Sequence, residues 1–232
     1  VTSLRSNRSP EKISMDDDVG TVIVGDGGHA RVVADALGGT VVGHLTPRPE
    51  PAAATGVLGP RLGSDDDARA LSQAGYRVAL GIGFVDRAGA LRRADLADRL
   101  TGVELAVVVH PASTVSPTAT LGDGTFVGPG AVVGAGAAIG SASIVNSGAI
   151  VDHDCSIGRN VHIAPGAVLS GGVTVGDHTL VGVGAAVIQG VTIGARSVIG
   201  AGCVVVEDLP ADVTVVGVPA RTLVRHTTPP HA

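Results

Sequence analysis

From Val115 to Val205 every sixth residue is Val, Ile or Leu, sixteen positions in a row. If one residue in three were aliphatic, such a run would arise by chance with odds of roughly 10⁻⁸, so the period is structural. The residue after the aliphatic is Gly in nine of the sixteen hexads. The fifth position is small or β-branched from Ala119 to Cys203, and only Leu209 departs. A period of six is neither the 3.6 of a helix nor the 2 of a long strand. It predicts short strands joined by tight turns, each strand sending one aliphatic and one small side chain inward. Three hexads close one triangular coil, so the run predicts a parallel β-helix prism of about five coils. The register is expected to hold to Pro210 without a looped-out insertion.

Residues 21–110 alternate differently. Thr21–Val24 reads as a buried strand, followed by the turn Gly25-Asp26-Gly27-Gly28-His29-Ala30 and a helix through Leu37. Val41–Gly43, Val78–Gly83 and Val103–Val109 predict three further strands, the last leading into the repeat. Ser64–Ala74 reads as a helix capped by Ser64, with Asp65, Asp66 and Asp67 in its first turn. Asp86–Leu100 reads as an amphipathic helix. Strands alternating with helices predict a small α/β unit on a parallel sheet. The expected organisation is a polar, disordered leader over 1–20, an α/β unit over 21–110, the prism over 111–210, and a C-terminal extension over 211–232.

Composition sharpens this picture. Glycine numbers 35 of 232 residues, and the only Phe, Tyr and Trp residues are Tyr76, Phe84 and Phe126. A narrow prism interior excludes aromatic rings, and Phe126 falls at the sixth position of its hexad rather than the inward first. Single-stranded nucleic acid needs stacking platforms that this chain lacks, and a net charge of −5 disfavours a polyanionic partner. No run of 18 apolar residues occurs, and residues 1–20 hold no apolar signal core, so a cytoplasmic protein without membrane insertion is expected. Cys155 and Cys203 both take the small inward position, on different faces and too far apart for a disulfide.

Gly25-x-Gly27-x-x-Ala30 matches the dinucleotide fingerprint. That fingerprint also wants an acid near the end of the second strand to hold the ribose, and Gly43–Arg48 offers none before Glu50. NAD is therefore not expected. The loop and the helix N-terminus behind it suit an anion such as a diphosphate.

Four motifs stand in order: Gly25-Asp26-Gly27-Gly28-His29, His110-Pro111-Ala112-Ser113, Val151-Asp152-His153-Asp154-Cys155 and Gly217-Val218-Pro219-Ala220-Arg221. Over about 21–225 the chain resembles the hexapeptide-repeat sugar acyltransferases of the sialic-acid O-acetyltransferase and bacillosamine N-acetyltransferase type. The resemblance implies a Rossmann-like N-terminal domain, a left-handed β-helix, and a homotrimer with active sites between subunits. It implies acetyl-CoA as co-substrate and no metal. It places Gly27, Gly28, His29, Gly81, Ile82, Gly83 and Asn146 at the acceptor. Coenzyme contacts would come from His162, Gly171, Val183, Gly184, Ala201, Gly202, Pro219 and Arg221, with Arg196 a further partner for phosphate. His153, at the outward third position of its hexad, is the candidate general base, and Asp154 stands where the family carries Glu. Whether Asp152 or Asp154 orients His153 is open at this point. UDP-sugar enzymes of the family carry Asp after the second strand, where this chain has Thr46 and Arg48.

The expected activity is acetyl-CoA-dependent N-acetylation of an amino sugar, nucleotide-linked, by direct transfer. O-acetylation of sialic acid or another sugar hydroxyl would use the same residues. A γ-type carbonic anhydrase would need three converging histidines, with two of them five residues apart, whereas His153, His162 and His178 are spaced 9 and 16. A non-catalytic binding protein would have no use for a histidine between two acids.

Overall fold

The computed structural model describes residues 19–48 and 56–223. All but two residues of the expected leader lie outside the described residues, as do Glu50 and the chain after residue 223.

The first unit is a four-stranded sheet in which β1 (Thr21–Val24), β2 (Val41–Leu45), β3 (Arg61–Gly63) and β4 (Arg77–Leu80) lie in the order β3-β2-β1-β4. All its pairings are parallel. Every residue of β1 is buried because helices cover both faces, which is why it reads as a continuous apolar run. Ile23 packs with Val33 and Leu37 of α1 (Gly28–Leu37). Val22 and Val24 pack on the other face with Ala68 of α2 (Ala68–Gln73) and Leu96 and Ala97 of α3 (Arg87–Arg99).

Three sequence expectations need correction here. The strand β3 was not expected: it is three residues long, at the sheet edge, and partly exposed. The third expected strand ends at Leu80, and Gly81–Gly83 is loop. The expected strand over Val103–Val109 does not join the sheet as a strand. Its hydrogen bonds are divided: Ala106 N–H donates to Val78 O (2.8 Å), whereas Val108 N–H donates to Thr125 O (2.9 Å). The segment bridges β4 at Leu105 and then becomes the first strand of the prism at Val108–Val109.

The prism has three faces of two-residue parallel strands. The first face runs from Val108–Val109 through Phe126–Val127, Ile144–Val145, His162–Ile163 and Leu180–Val181 to Val198–Ile199. The second runs from Thr114–Val115 to Val204–Val205, and the third from Thr120–Leu121 to Thr192–Ile193. The hexad aliphatics and fifth-position small residues form one continuous core along the axis. The second-position glycines answer to coil stacking: a Cβ on Gly134 would stand 2.7 Å from the backbone of Asp152 and His153 in the next coil.

The repeat begins one hexad earlier than the sequence count, at Val109, and loses register before Pro210. Leu209 bridges Ile193, and Val198 pairs with Thr214, sixteen residues on instead of eighteen. Two residues are dropped after Val205, so Leu209 itself takes an aliphatic core position. That explains why it departs from the small-residue pattern. Cys155 and Cys203 are free and buried in this core, and burial pushes both thiols up.

The α/β unit sits on the first face. Phe126 and Ile144 point out of the prism into the apolar cluster of Ile23, Val33 and Leu58. Arg93, 2% exposed, ties α3 to the corner between the third and first faces. It donates to Ile82 O, Ala142 O and Asn160 Oδ1, and Asn160 Nδ2 donates to Ala90 O (2.9 Å). No carboxylate is among these partners, and burial brings the Arg93 guanidinium down to about 10.

Candidate active site

A cavity of about 660 Å³ opens between the strand ends of the sheet and the first face of the prism. Gly27, Gly28, His29, Gly81, Ile82, Gly83 and Asn146 all line it. Ligands of parallel α/β sheets bind beyond the carboxyl ends of the strands, where this cavity lies. α1 starts at Gly28 without a side-chain cap, so its first N–H groups face the cavity uncommitted and favour an anion. Gly81 is required by packing: a Cβ there would stand 2.5 Å from Ile23 Cγ2 and 2.9 Å from Ala30 Cβ. Asp26, on the same loop, is already engaged, accepting from Thr46 Oγ1 (3.1 Å) and pairing with Arg48 (3.6 Å).

Two histidines on the cavity wall are held neutral. The His29 ring stands edge-on to Phe126, centroids 5.1 Å apart, and its Nε2 is buried without a partner. Burial, with help from Arg93, lowers its pKa to about 3. His162, expected among the coenzyme contacts, lines the same cavity. Its Nδ1 donates to Phe84 O (2.7 Å), which leaves Nε2 to accept from Asn146 Nδ2 (3.0 Å). Burial lowers its pKa to about 4. Asn146 Oδ1 in turn accepts from Ser147 N–H (2.8 Å), so one amide proton of Asn146 is left uncommitted beside the cavity.

His153 stands on a different corner, between the second and third faces. Its backbone N–H donates to Asp152 Oδ1 (2.7 Å), while its ring Nδ1 meets Asp154 Oδ2 at 2.9 Å. The two acids thus divide the work: Asp152 fixes the turn and Asp154 fixes the ring. Asp154 holds a left-handed backbone, φ 57°, at a position where most hexads carry glycine. Such a conformation costs about 1 kcal/mol in a non-glycine residue and is kept where something over-determines it. With Nδ1 protonated toward Asp154, the lone pair is on Nε2, which lies over Gly171 of the next coil. A Cβ on Gly171 would come within 2.3 Å of that nitrogen.

Hydrogen bonding to Asp154, and then the charge of Asp152, raise the His153 pKa above its ordinary value. A base must be neutral to act, so the rate of a reaction that uses His153 as its base is expected to rise with pH through an inflection above 6.5. In Asp154→Asn the inflection should move to lower pH. A profile of log kcat against pH that stays in place would remove Asp154 from the ring's support.

The other positions expected to contact the coenzyme fall on two corners. Gly171 lies with His153, whereas Val183, Gly184, Ala201 and Gly202 stack on the corner between the first and second faces, and Pro219 and Arg221 close its end. Arg196 is paired with Asp212 (2.6 Å). Sequence reasoning missed Asp65, Phe84, Asp86 and Arg92 on the cavity wall, because the turn after β3, the loop after β4 and the helix α3 come together only on folding. Among the described residues no three His, Cys, Asp or Glu side chains cluster as a metal site, and no helix is long and apolar enough to cross a membrane.

No protein-family model and no curated protein matches the chain. Solved structures do. A histidine-to-alanine mutant of GDP-perosamine N-acetyltransferase from Caulobacter crescentus, in complex with CoA and GDP-perosamine, is 40% identical, with 88% of this chain and 96% of that one covered at a TM-score of 0.78. The acetyltransferase domain of PglB from Neisseria gonorrhoeae, in complex with acetyl coenzyme A, is 36% identical, with 88% and 98% covered at 0.77. WeeI from Acinetobacter baumannii is 25% identical, with 88% and 100% covered at 0.71. At these identities and over this span, the chain belongs to the hexapeptide-repeat sugar N-acetyltransferases.

Proposed function

We propose that this protein transfers the acetyl group of acetyl-CoA to the amino group of a nucleoside-diphosphate-linked amino sugar. The observation that carries the reading is the likeness, over nearly the whole chain, to an enzyme bound to CoA and GDP-perosamine. The amine attacks the thioester carbonyl; a C–N bond forms and the C–S bond breaks. His153 Nε2 takes the amine proton and returns it to the departing thiolate. No acyl-enzyme is needed, since both thiols are buried in the prism core. In this reading the backbone N–H of Gly171, next to the His153 ring, steadies the developing oxyanion. The diphosphate lies at the N-terminus of α1, and the sugar extends toward Asn146 and His162.

In this reading the N-terminal unit is a Rossmann-like acceptor domain and the prism a left-handed β-helix that forms a homotrimer. The separation of the parts supports the trimer: the cavity and His153 are on different corners, one prism face apart. A second copy brings its His153 corner to the first copy's cavity. Acetyl-CoA use fits a cytoplasmic enzyme. The test is thiol release from acetyl-CoA against nucleotide-linked 4-amino and 3-amino sugars, free amino sugars and sialic acid. Turnover is expected with a nucleotide-linked amine. Preference for sialic acid or a free sugar would overturn the assignment.

A further inference from the structure

The cavity extends well past the α1 N-terminus, to the ends of β2 and β3, and its chemistry there is uneven. Thr46 N–H donates to Gly63 O (3.0 Å), which draws the segment after β2 against the turn that carries Asp65. That turn holds three consecutive aspartates with separate fates. Asp67 accepts from Ser64 N–H (2.8 Å) and closes a capping box; Asp66 pairs with Arg99 (3.7 Å). Asp65 lines the cavity, and its Oδ1 is out of solvent with no hydrogen-bond partner. Asp26 beside it is saturated by Thr46 and Arg48. The second unpartnered buried polar atom on the same wall is His29 Nε2, so both ends of the cavity await a polar ligand.

Resting on the reading of a nucleotide-linked acceptor, we propose that Asp65 is the specificity-determining residue for the nucleobase and selects guanine. Position argues for the base rather than the ribose. The phosphate loop follows β1, and Asp65 follows β3, two strands away. Two strand spacings are about 10 Å, the reach of a nucleoside from its α-phosphate to the outer edge of a purine. The ribose then falls beside Thr46 and Arg48, at the end of β2. Donor pattern argues for guanine. A carboxylate only accepts, and guanine alone among the common bases presents two adjacent donors, N1–H and the 2-amino group. Uracil and thymine offer one N–H between two carbonyls that would face the carboxylate, and adenine and cytosine set a ring acceptor beside their amino group.

The experiment measures binding of GDP, UDP, ADP and xanthosine diphosphate by calorimetry to the wild type, Asp65→Asn and Asp65→Ala. The wild type should prefer GDP over UDP and ADP by about ten- to a hundredfold, the usual worth of a bidentate base contact. Asp65→Asn presents an amide N–H toward C2, so it should lose GDP affinity and gain for xanthosine diphosphate, which carries a carbonyl there. Such a gain cannot come from a damaged fold. Equal affinity for all bases, or equal losses for GDP and UDP in Asp65→Asn, would place Asp65 at the ribose and overturn the proposal. A preference for UDP overturns it as well but leaves the nucleotide-linked acceptor standing. Binding of no diphosphate by a protein that turns over a free amino sugar removes both.

Discussion

His153→Ala is expected to reduce kcat by at least ~10²-fold, the usual scale for a lost general base, with little change in KM for either substrate. The side chain is 60% exposed, so its removal leaves no cavity and the fold should melt as before. Gly171→Ala tests the same chemistry from the other side. Its added methyl would occupy the space 2.3 Å from His153 Nε2, and the imidazole must swing away from its bond to Asp154. A comparable fall in kcat is expected with His153 still present. If Gly171→Ala retains full turnover while His153→Ala does not, the base acts from another rotamer. Full turnover in His153→Ala with every acceptor would discard the mechanism. In the proposed trimer, mixing His153→Ala subunits with subunits crippled at Gly28 should restore part of the activity, since there the cavity and the base of one site would come from different copies.

How far the sequence could be read depended on whether a residue's role is repeated. Each hexad aliphatic is checked by its neighbours at plus and minus six, so the prism and the outward placement of His153 were legible. The ends of the repeat lack neighbours on one side, and there the count failed: Val109 was missed and the shortened turn before Leu209 was read through. The glycine loop's place on the cavity wall was legible because glycines beside a buried strand have few other uses. Asp65 and Arg93 were not, for opposite reasons. Asp65 sits in a run of three aspartates whose partners depend on tertiary packing. Arg93 did leave a signal: it shares the buried stripe of α3 with Ala90, Ala94 and Ala97, and a charge on an apolar stripe asks for a partner. What the sequence could not supply was that partner, since Ala142 and Asn160 are brought to it by the prism corner. His162 was expected at the coenzyme; the structure shows that it lines the cavity with both ring nitrogens hydrogen-bonded, to Asn146 and to Phe84 O.

The second large effect is expected in stability against acid. His29 and His162 have folded pKa values of about 3 and about 4, against an ordinary 6.5. Both are lowered by burial first, and the buried Arg93 adds to each. Above pH 6.5 neither state binds the protons and the histidines are neutral in the balance. As pH falls below 6.5 the unfolded chain takes up two protons that the folded chain refuses, so folding stability is lost, and the loss continues down to the folded values. Each histidine contributes at most about 1.4 kcal/mol per pH unit, which gives on the order of 3–5 kcal/mol between pH 6.5 and pH 4.5. The exposed Asp212, paired with Arg196, is lowered below 3.8 and releases its share only in stronger acid. His178, also lowered by burial, adds to the loss in this window, whereas His153 and Asp65, both raised, oppose it, so the two buried histidines are read from their own variants. Urea unfolding at pH 7 and pH 5 measures the slope. His29→Asn and His162→Asn should each be less stable at pH 7 yet show a flatter decline toward pH 5. An unchanged slope would mean that these rings already take up protons in the folded state. The acid weakness is tied to the cavity wall: a neutral His162 keeps the lone pair that holds Asn146, and a neutral His29 leaves Nε2 without a partner beside the cavity. The burial that keeps both rings uncharged on the cavity wall is the same burial that makes the fold give way below pH 6.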